Sequence, residues 1–170
     1  IRTDGPEGHF SKAGTPTMGG ALILGALVVS TLLWARLDNM HIWVVLFVTV
    51  GFGAIGFADD YAKVTKQTVV GVSGKLRLGL GFVIALVAAL AAAQLHPDGL
   101  STQVAVPILK DTLVPFGLLF FPFAMIVIVG TANAVNLTDG LDGLAIMPVM
   151  IAAAALGVVA YAVGRVDFTQ

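Results

Sequence analysis

Five long apolar runs constrain this chain more than any other feature of its sequence. Each run is close to the ~20 residues that a helix needs to cross the hydrocarbon core of a bilayer. They cover residues of about 19–37, 41–58, 78–95, 113–132 and 144–164. Because lipid offers no hydrogen-bonding partner to an unpaired backbone group, each run is predicted to form a membrane-spanning helix. We therefore predict an all-α, polytopic membrane helix bundle, with residues 1–170 forming a single integral membrane domain.

Composition and charge narrow the classes of function. Hydrophobic residues make up 58% of the chain and charged residues 11%, which is far more apolar than a soluble domain. The net charge of -1 gives no basic field for nucleic acid, and the absence of cysteine excludes a disulfide framework. The chain opens at Ile1 without an initiator methionine or a signal-peptide pattern, so we expect an internal piece of a longer protein.

The polar segments 1–18, 59–77 and 133–143 are predicted to lie on one side of the membrane, because two spans separate each from the next. Together they hold six Lys and Arg residues, against three in the rest of the chain. Short loops that are richer in Lys and Arg face the cytoplasm. We therefore predict that the three segments are cytoplasmic loops whose polar residues share one surface.

The segment 133–143 places two amides and two carboxylates between apolar runs. Asn136, Asp139 and Asp142 recur at every third residue, so in a helix or tight turn they would share one broad face. A carboxylate at membrane depth costs about 2.5–3.5 kcal/mol, which indicates a functional site. A polar turn between two spans would explain the same residue types.

Two further polar clusters lie on the same predicted surface. Asp59 and Asp60 are adjacent carboxylates that repel unless a cation sits with them, and Mg²⁺ binds one or two carboxylates together with substrate phosphates. Lys63, one helical turn later, is a candidate salt-bridge partner or phosphate contact. Lys12 and Thr17 are candidate contacts for an anionic ligand. The simpler alternatives are that the aspartates only end a span and that Lys12 is an interfacial anchor.

Gly51, Gly53 and Gly56 match the glycine spacing of a dinucleotide-binding loop, but they lie inside an apolar span with no preceding strand. We expect these glycines to allow close helix packing instead.

Three motifs in this order closely resemble one branch of a known family. They are GPEGHFSKAGTPTMGG at 5–20, GFADDYAK at 56–63 and NAVNLTDGLDGLA at 133–145. The chain resembles the phospho-N-acetylmuramoyl-pentapeptide transferase branch of the polyprenyl-phosphate N-acetylhexosamine-1-phosphate transferases, over nearly its whole length. Such enzymes have about ten spans, so this piece would supply about five.

The resemblance implies a reaction in bacterial peptidoglycan synthesis. The phospho-sugar of UDP-N-acetylmuramoyl-pentapeptide moves to undecaprenyl phosphate, giving lipid I and UMP, with Mg²⁺ required. It also implies a multi-pass protein of the bacterial inner membrane, with its active site facing the cytoplasm, and a homodimer as an expected assembly. Later loops of the family, one of which supplies a further metal-binding aspartate, are missing from this piece. We therefore expect the 170-residue chain alone to be inactive.

The resemblance also implies roles for individual residues. The catalytic residues would be Asp59, Asp60, Asp139 and Asn136, and the three aspartates would bind the metal. Substrate contacts would come from Lys12, Thr17, Lys63, Lys75, Asn133, Gly140, Leu141 and Asp142. A phosphate monoester is already largely dianionic at neutral pH, which favours its direct attack, although a covalent aspartyl intermediate stays open.

Two alternatives remain for the function. A sibling transferase would use UDP-N-acetylglucosamine as its donor, and donor preference separates the two enzymes. A cation or proton transporter would also carry intramembrane carboxylates, but it should place polar groups at mid-span on a path to the far side.

Overall fold

The computed structural model describes residues 19–66, 71–96, 100–106, 112–139 and 144–164. Its elements are α1 (Gly19–Trp34), α2 (Met40–Lys66), α3 (Gly74–Leu95), β1 (Gln103–Ala105), β2 (Leu113–Pro115), α4 (Phe120–Thr138) and α5 (Ile146–Gly164). A single 3-10 turn, Gly117–Leu119, leads into α4. The predicted all-α class is confirmed, with one short hairpin added to it.

Four helices in the described part of the chain are long and apolar enough to cross a membrane. They are Met40–Thr65, Gly74–Leu95, Gly117–Thr138 and Ile146–Gly164. The apolar helix α1 has 16 residues, or about 24 Å of helix, which is shorter than the hydrocarbon core. The chain is therefore part of a multi-pass membrane protein.

Two predicted loops prove to be partly helical. α2 continues through Lys66, so Asp59, Asp60 and Lys63 lie on its last turns and not in a loop. α4 likewise continues through Thr138 and includes Asn133 and Asn136. Neither 59–66 nor 133–138 contains glycine or proline, so nothing in these segments breaks a helix that the preceding apolar run has already started.

The fourth predicted span begins later than its apolar run. Residues 113–115 form β2, which pairs antiparallel with β1 so that Val114 faces Val104. Pro115 and Gly117 then interrupt the chain, and Gly117 adopts a positive φ of 51° that glycine tolerates well. The prediction of a helix from residue 113 was therefore wrong, and α4 begins at Phe120.

The chain divides into two compact units, one up to Val129 and one from Gly130 onward, and each is described by itself. In the first unit, α2 packs against both α1 and α3. A Cβ on Gly51 would lie 2.9 Å from Cδ1 of Ile84 in α3, and one on Gly53 would overlap the side chain of Leu24 in α1. The expected role in close helix packing is confirmed for these two glycines but not for Gly56, where a Cβ would have no atom within 4 Å.

Candidate active site

The centre of the site is the buried carboxylate of Asp59, near the end of α2. Only 8% of its side chain is exposed. A buried carboxylate is stable only when it is paired and hydrogen-bonded. The partners of Asp59 come from its own helix, from the segment that leads into α3 and from the first turn of α3.

Lys63 lies between the two adjacent aspartates. Its Nζ is 2.6 Å from Oδ2 of Asp59 and 3.4 Å from Oδ1 of Asp60. Helical spacing explains both contacts, because residues three and four positions apart lie on one face of a helix. The cation offsets the repulsion between the two carboxylates, so Lys63 is the salt-bridge partner that the sequence suggested as one alternative.

Two more donors reach Asp59 from the start of α3, one from the chain just before the helix and one from its first turn. The backbone N–H of Val72 donates to Oδ1 at 2.8 Å, and Nη1 of Arg77 lies 3.5 Å from Oδ2. Ser73 caps α3 by accepting a hydrogen bond from the N–H of Leu76 at 3.4 Å, which fixes where this segment enters the helix. Asp59 therefore joins the end of α2 to the start of α3.

Gly71 makes that junction possible. A Cβ at this position would overlap Oδ1 of Asp59 and would lie 2.9 Å from Cε of Lys63. Only a residue without a side chain lets the backbone approach closely enough for Val72 to reach the carboxylate. Neither Gly71 nor Arg77 is singled out by the sequence, because the hydrogen bonds of Val72 and Arg77 to Asp59 span 13 and 18 residues and leave no periodic pattern.

Asp60 has a different environment from its neighbour. Its side chain is 46% exposed, and it lies at a groove of about 620 Å³ between α1 and α2. The other residues of the groove are apolar or glycine, among them Gly20, Leu24, Gly53 and Phe57. Of the two adjacent carboxylates, Asp59 is committed to internal partners and Asp60 is open to a ligand.

In the second unit, Asn136 and Asp139 line one cavity of about 370 Å³, together with residues at the start of α5 such as Ile146 and Val149. The predicted shared face is confirmed for these two residues. Asp139 follows directly after the end of α4, so its carboxylate lies where the helix gives way to a turn.

For two further candidate residues the structure gives a position, and their substrate contacts stay predictions. Lys75 is exposed in the first turn of α3, and Asn133 lies on α4. Five candidates lie outside the described residues: Lys12, Thr17, Gly140, Leu141 and Asp142.

The described residues contain no group of three or more side chains that could hold a metal ion. Mg²⁺ nevertheless suits the donor set, since it accepts one or two carboxylates and takes its other ligands from phosphates and water. The exposed carboxylate of Asp60 fits that requirement. The metal role of Asp59, Asp60 and Asp139 stays a prediction.

Comparison with known proteins agrees with this architecture. Residues 42–170 match glycosyl transferase family 4, and residues 12–24 match phospho-N-acetylmuramoyl-pentapeptide-transferase signature 1. The phospho-N-acetylmuramoyl-pentapeptide-transferase of Ruegeria pomeroyi is 71% identical over 170 residues, which is 100% of this chain and 47% of that relative. The protein of the same name from Maricaulis maris is 57% identical over 176 residues, covering 100% of this chain and 48% of the relative.

The chain thus spans about half the length of the curated relatives it matches. The family match begins near the start of α2 and includes Asp59, Asp60, Asn136 and Asp139. The signature match covers Lys12 and Thr17 and extends into α1. On the extent of these matches, the chain belongs to glycosyl transferase family 4.

Proposed function

We propose that the protein containing this chain transfers phospho-N-acetylmuramoyl-pentapeptide from its UDP-activated form to undecaprenyl phosphate, giving lipid I and UMP. The observation that carries the proposal is the division between two adjacent aspartates at the end of a membrane-spanning helix. Asp59 is held inside by Lys63, Val72 and Arg77, whereas Asp60 is half-exposed beside it. The signature match and the names of the relatives support phospho-N-acetylmuramoyl-pentapeptide as the transferred group. The UDP-activated donor and the undecaprenyl phosphate acceptor are part of the proposal and rest on the resemblance of the three motifs.

The position of the aspartates suits a reaction between a soluble donor and a lipid acceptor. α2 has 27 residues, or about 40 Å of helix, so it exceeds the ~30 Å hydrocarbon core and its last turns can reach the interface. The phosphate group of a lipid carrier also lies at the interface between membrane and water. We infer that this end of α2 faces the cytoplasm of a bacterial inner membrane, because the predicted loops on that side are richer in Lys and Arg.

The chemistry is a displacement at phosphorus. An oxygen of the lipid phosphate attacks the sugar-bearing phosphorus of the donor, a new P–O–P linkage forms, the bond to the UMP phosphate breaks, and its electron pair leaves with UMP. Such reactions depend mainly on positioning and on charge neutralisation. Because the lipid phosphate is already largely dianionic, it needs little help from a general base.

The residues of this chain then have distinct tasks. Asp60, together with donor phosphates, would hold Mg²⁺, which neutralises charge on the diphosphate and on the leaving UMP. Lys63, whose side chain is 40% exposed, offers its one remaining N–H group to a phosphate oxygen. Asp59 keeps Lys63 in place. Asn136 and Asp139 are the polar residues of a second, otherwise apolar cavity, and we assign these two side chains contacts near the diphosphate.

The remaining candidate residues of the chain are assigned contacts to the substrates. Contacts to the nucleotide are assigned to Lys12 and Thr17, and contacts to its uracil base to Gly140, Leu141 and Asp142. Lys75 and Asn133 are assigned further substrate contacts.

We propose that the 170-residue chain alone is inactive, since it covers 47% of its relative and lacks the predicted further metal ligand. A homodimer is the proposed assembly.

The test compares two donors with the full-length protein in detergent, undecaprenyl phosphate and Mg²⁺. UMP release is measured from UDP-N-acetylmuramoyl-pentapeptide and from UDP-N-acetylglucosamine. We expect release from the first donor only, and its loss with EDTA and in Asp60→Asn. The matched control is Asp38→Asn, which removes an exposed carboxylate that pairs only locally with Arg36 at 3.0 Å. Release from the second donor alone would move the protein to the sibling transferases, and no release from either would contradict the proposal.

A further inference from the structure

A second polar cluster lies at the other end of α2, far from the aspartates. His41 is in the first turn of α2, and His96 directly follows the last residue of α3. Their ring centroids are 5.7 Å apart, with an angle of 79° between the ring planes. His41 and Asp59 are 18 positions apart on α2, which corresponds to about 27 Å of helix, so the histidine pair is separate from the candidate active site.

The hydrogen bonds of each ring fix where its proton lies. Nδ1 of His96 is 2.8 Å from the backbone carbonyl oxygen of Ala92. A carbonyl oxygen can only accept, so in the neutral imidazole Nδ1 carries the hydrogen and Nε2 has the lone pair.

His41 reaches the same state by a different contact. Its Nδ1 is 3.0 Å from Oδ1 of Asn39, and the same oxygen accepts the backbone N–H of His41 at 3.0 Å. Both rings therefore present Nε2 as the atom with a lone pair, and both histidines are exposed.

This is the arrangement that metal-ligating histidines use. Such a histidine usually donates its other ring N–H to a carbonyl, a carboxylate or water, which orients the ring and makes the ligating nitrogen more basic. Two imidazoles bound to one tetrahedral Zn²⁺, at about 2.0–2.1 Å each, have ring centres roughly 5 Å apart. The observed 5.7 Å separation is close to that value.

We propose that His41 and His96 bind a divalent transition-metal ion of the Zn²⁺ type through their Nε2 atoms. Imidazole nitrogen is a good ligand for Zn²⁺ and a poor one for Mg²⁺, so the site is chemically distinct from the predicted magnesium site. Within the described part of the chain, the proposed protein ligands are these two imidazoles, and water would take up coordination positions that no side chain fills. Asp38, three residues before His41, is paired with Arg36 at 3.0 Å, and Asp98, two residues after His96, lies outside the described residues.

Binding would connect the start of α2 to the end of α3. A cavity of about 310 Å³ lies between these helix ends and is lined by residues such as Trp43, Phe47 and Leu95. A metal ion that joins His41 to His96 would hold the two ends together beside this cavity. Because the ion binds the folded protein in preference to the unfolded one, it should raise the melting temperature.

The experiment uses the full-length protein in detergent with excess Mg²⁺, titrated with ZnCl₂ in a calorimeter. We expect one saturable Zn²⁺ per chain, weakened by about tenfold or more in His41→Ala and in His96→Ala. His9→Ala is the matched control, because it removes an imidazole from outside the proposed site. UMP release without Zn²⁺ should be preserved in the His41 and His96 variants, which shows that they fold.

A second measurement uses the melting temperature of the same proteins. ZnCl₂ should raise it in the wild type and in His9→Ala, and should leave it unchanged in the double variant His41→Ala/His96→Ala. The proposal is overturned if the wild type shows no saturable Zn²⁺ binding, or if the double variant binds Zn²⁺ as tightly as the wild type. These outcomes do not depend on which donor the enzyme uses.

Discussion

The ammonium group of Lys63 lies 2.6 Å from Oδ2 of Asp59, inside a junction that also contains the backbone N–H of Val72. The ion pair links two side chains one turn apart on α2. Val72 and Arg77 connect Asp59 to the start of α3. Since Asp60 is the next residue along α2, any shift of Asp59 also moves the exposed carboxylate. The rigidity of the junction is therefore expected to control activity.

Lys63→Met should lower kcat for UMP release by about 10²-fold, because removal of one preorganised charge commonly costs about 10²–10³ in rate. It leaves the buried Asp59 with two donors and brings back the repulsion between Asp59 and Asp60. Lys63→Arg keeps the charge and should retain more activity than Lys63→Met. Equal activity of Lys63→Met and wild type would show that the ion pair has no part in the reaction.

Arg77→Met should have a smaller effect than Lys63→Met. Its Nη1 lies 3.5 Å from Asp59, against 2.6 Å for Lys63, and weaker contacts contribute less to holding a carboxylate. We expect a loss of kcat of about tenfold or less, measured as UMP release at saturating donor. A larger loss of kcat in Arg77→Met than in Lys63→Met would show that Arg77, and not Lys63, contributes more to holding the Asp59 carboxylate.

Gly71→Ala adds one methyl group where it would overlap the Asp59 carboxylate. The backbone must move away, so the hydrogen bond from Val72 should weaken and both kcat and the melting temperature should fall; overpacking of this kind costs about 1–3 kcal/mol. Gly74→Ala is the matched control, because a Cβ there has no atom within 4 Å. The explanation fails if both substitutions lower kcat to the same extent.

Gly53→Ala tests the packing of α1 against α2. The added methyl group would overlap the side chain of Leu24, so the melting temperature should fall, and adding Leu24→Ala should give less than the sum of the two single effects. Gly56→Ala, on the same helix and with nothing within 4 Å of its Cβ, should change the melting temperature little. Additive effects of Gly53→Ala and Leu24→Ala would show that the two positions are not in contact.

The features that the sequence predicted are those with a local signal. Apolar runs of span length located the helices, and the spacing of Asn136 and Asp139 predicted the face that they share. The pairing of Lys63 with Asp59 follows from helical spacing in the same way.

The features that were missed depend on contacts between distant residues. Gly71 and Arg77 meet Asp59 only where the end of α2 approaches the start of α3. His41 and His96 meet only where the start of α2 lies beside the end of α3, and sequence spacing does not report either contact. The hairpin was missed because Leu113 to Pro115 are apolar and continue directly into the run that forms α4. Hydropathy alone does not separate a short apolar strand from the first turn of an apolar helix.

The most direct test of the proposed function is the mass of the lipid product. Full-length protein is incubated with UDP-N-acetylmuramoyl-pentapeptide, undecaprenyl phosphate and Mg²⁺, and the lipid is extracted and measured by mass spectrometry, with Asp60→Asn and Asp38→Asn in parallel. We expect a lipid whose mass equals undecaprenyl phosphate plus one phospho-N-acetylmuramoyl-pentapeptide, present with Asp38→Asn and absent with Asp60→Asn. Undecaprenyl phosphate of unchanged mass, from a protein shown to be folded, would contradict the account.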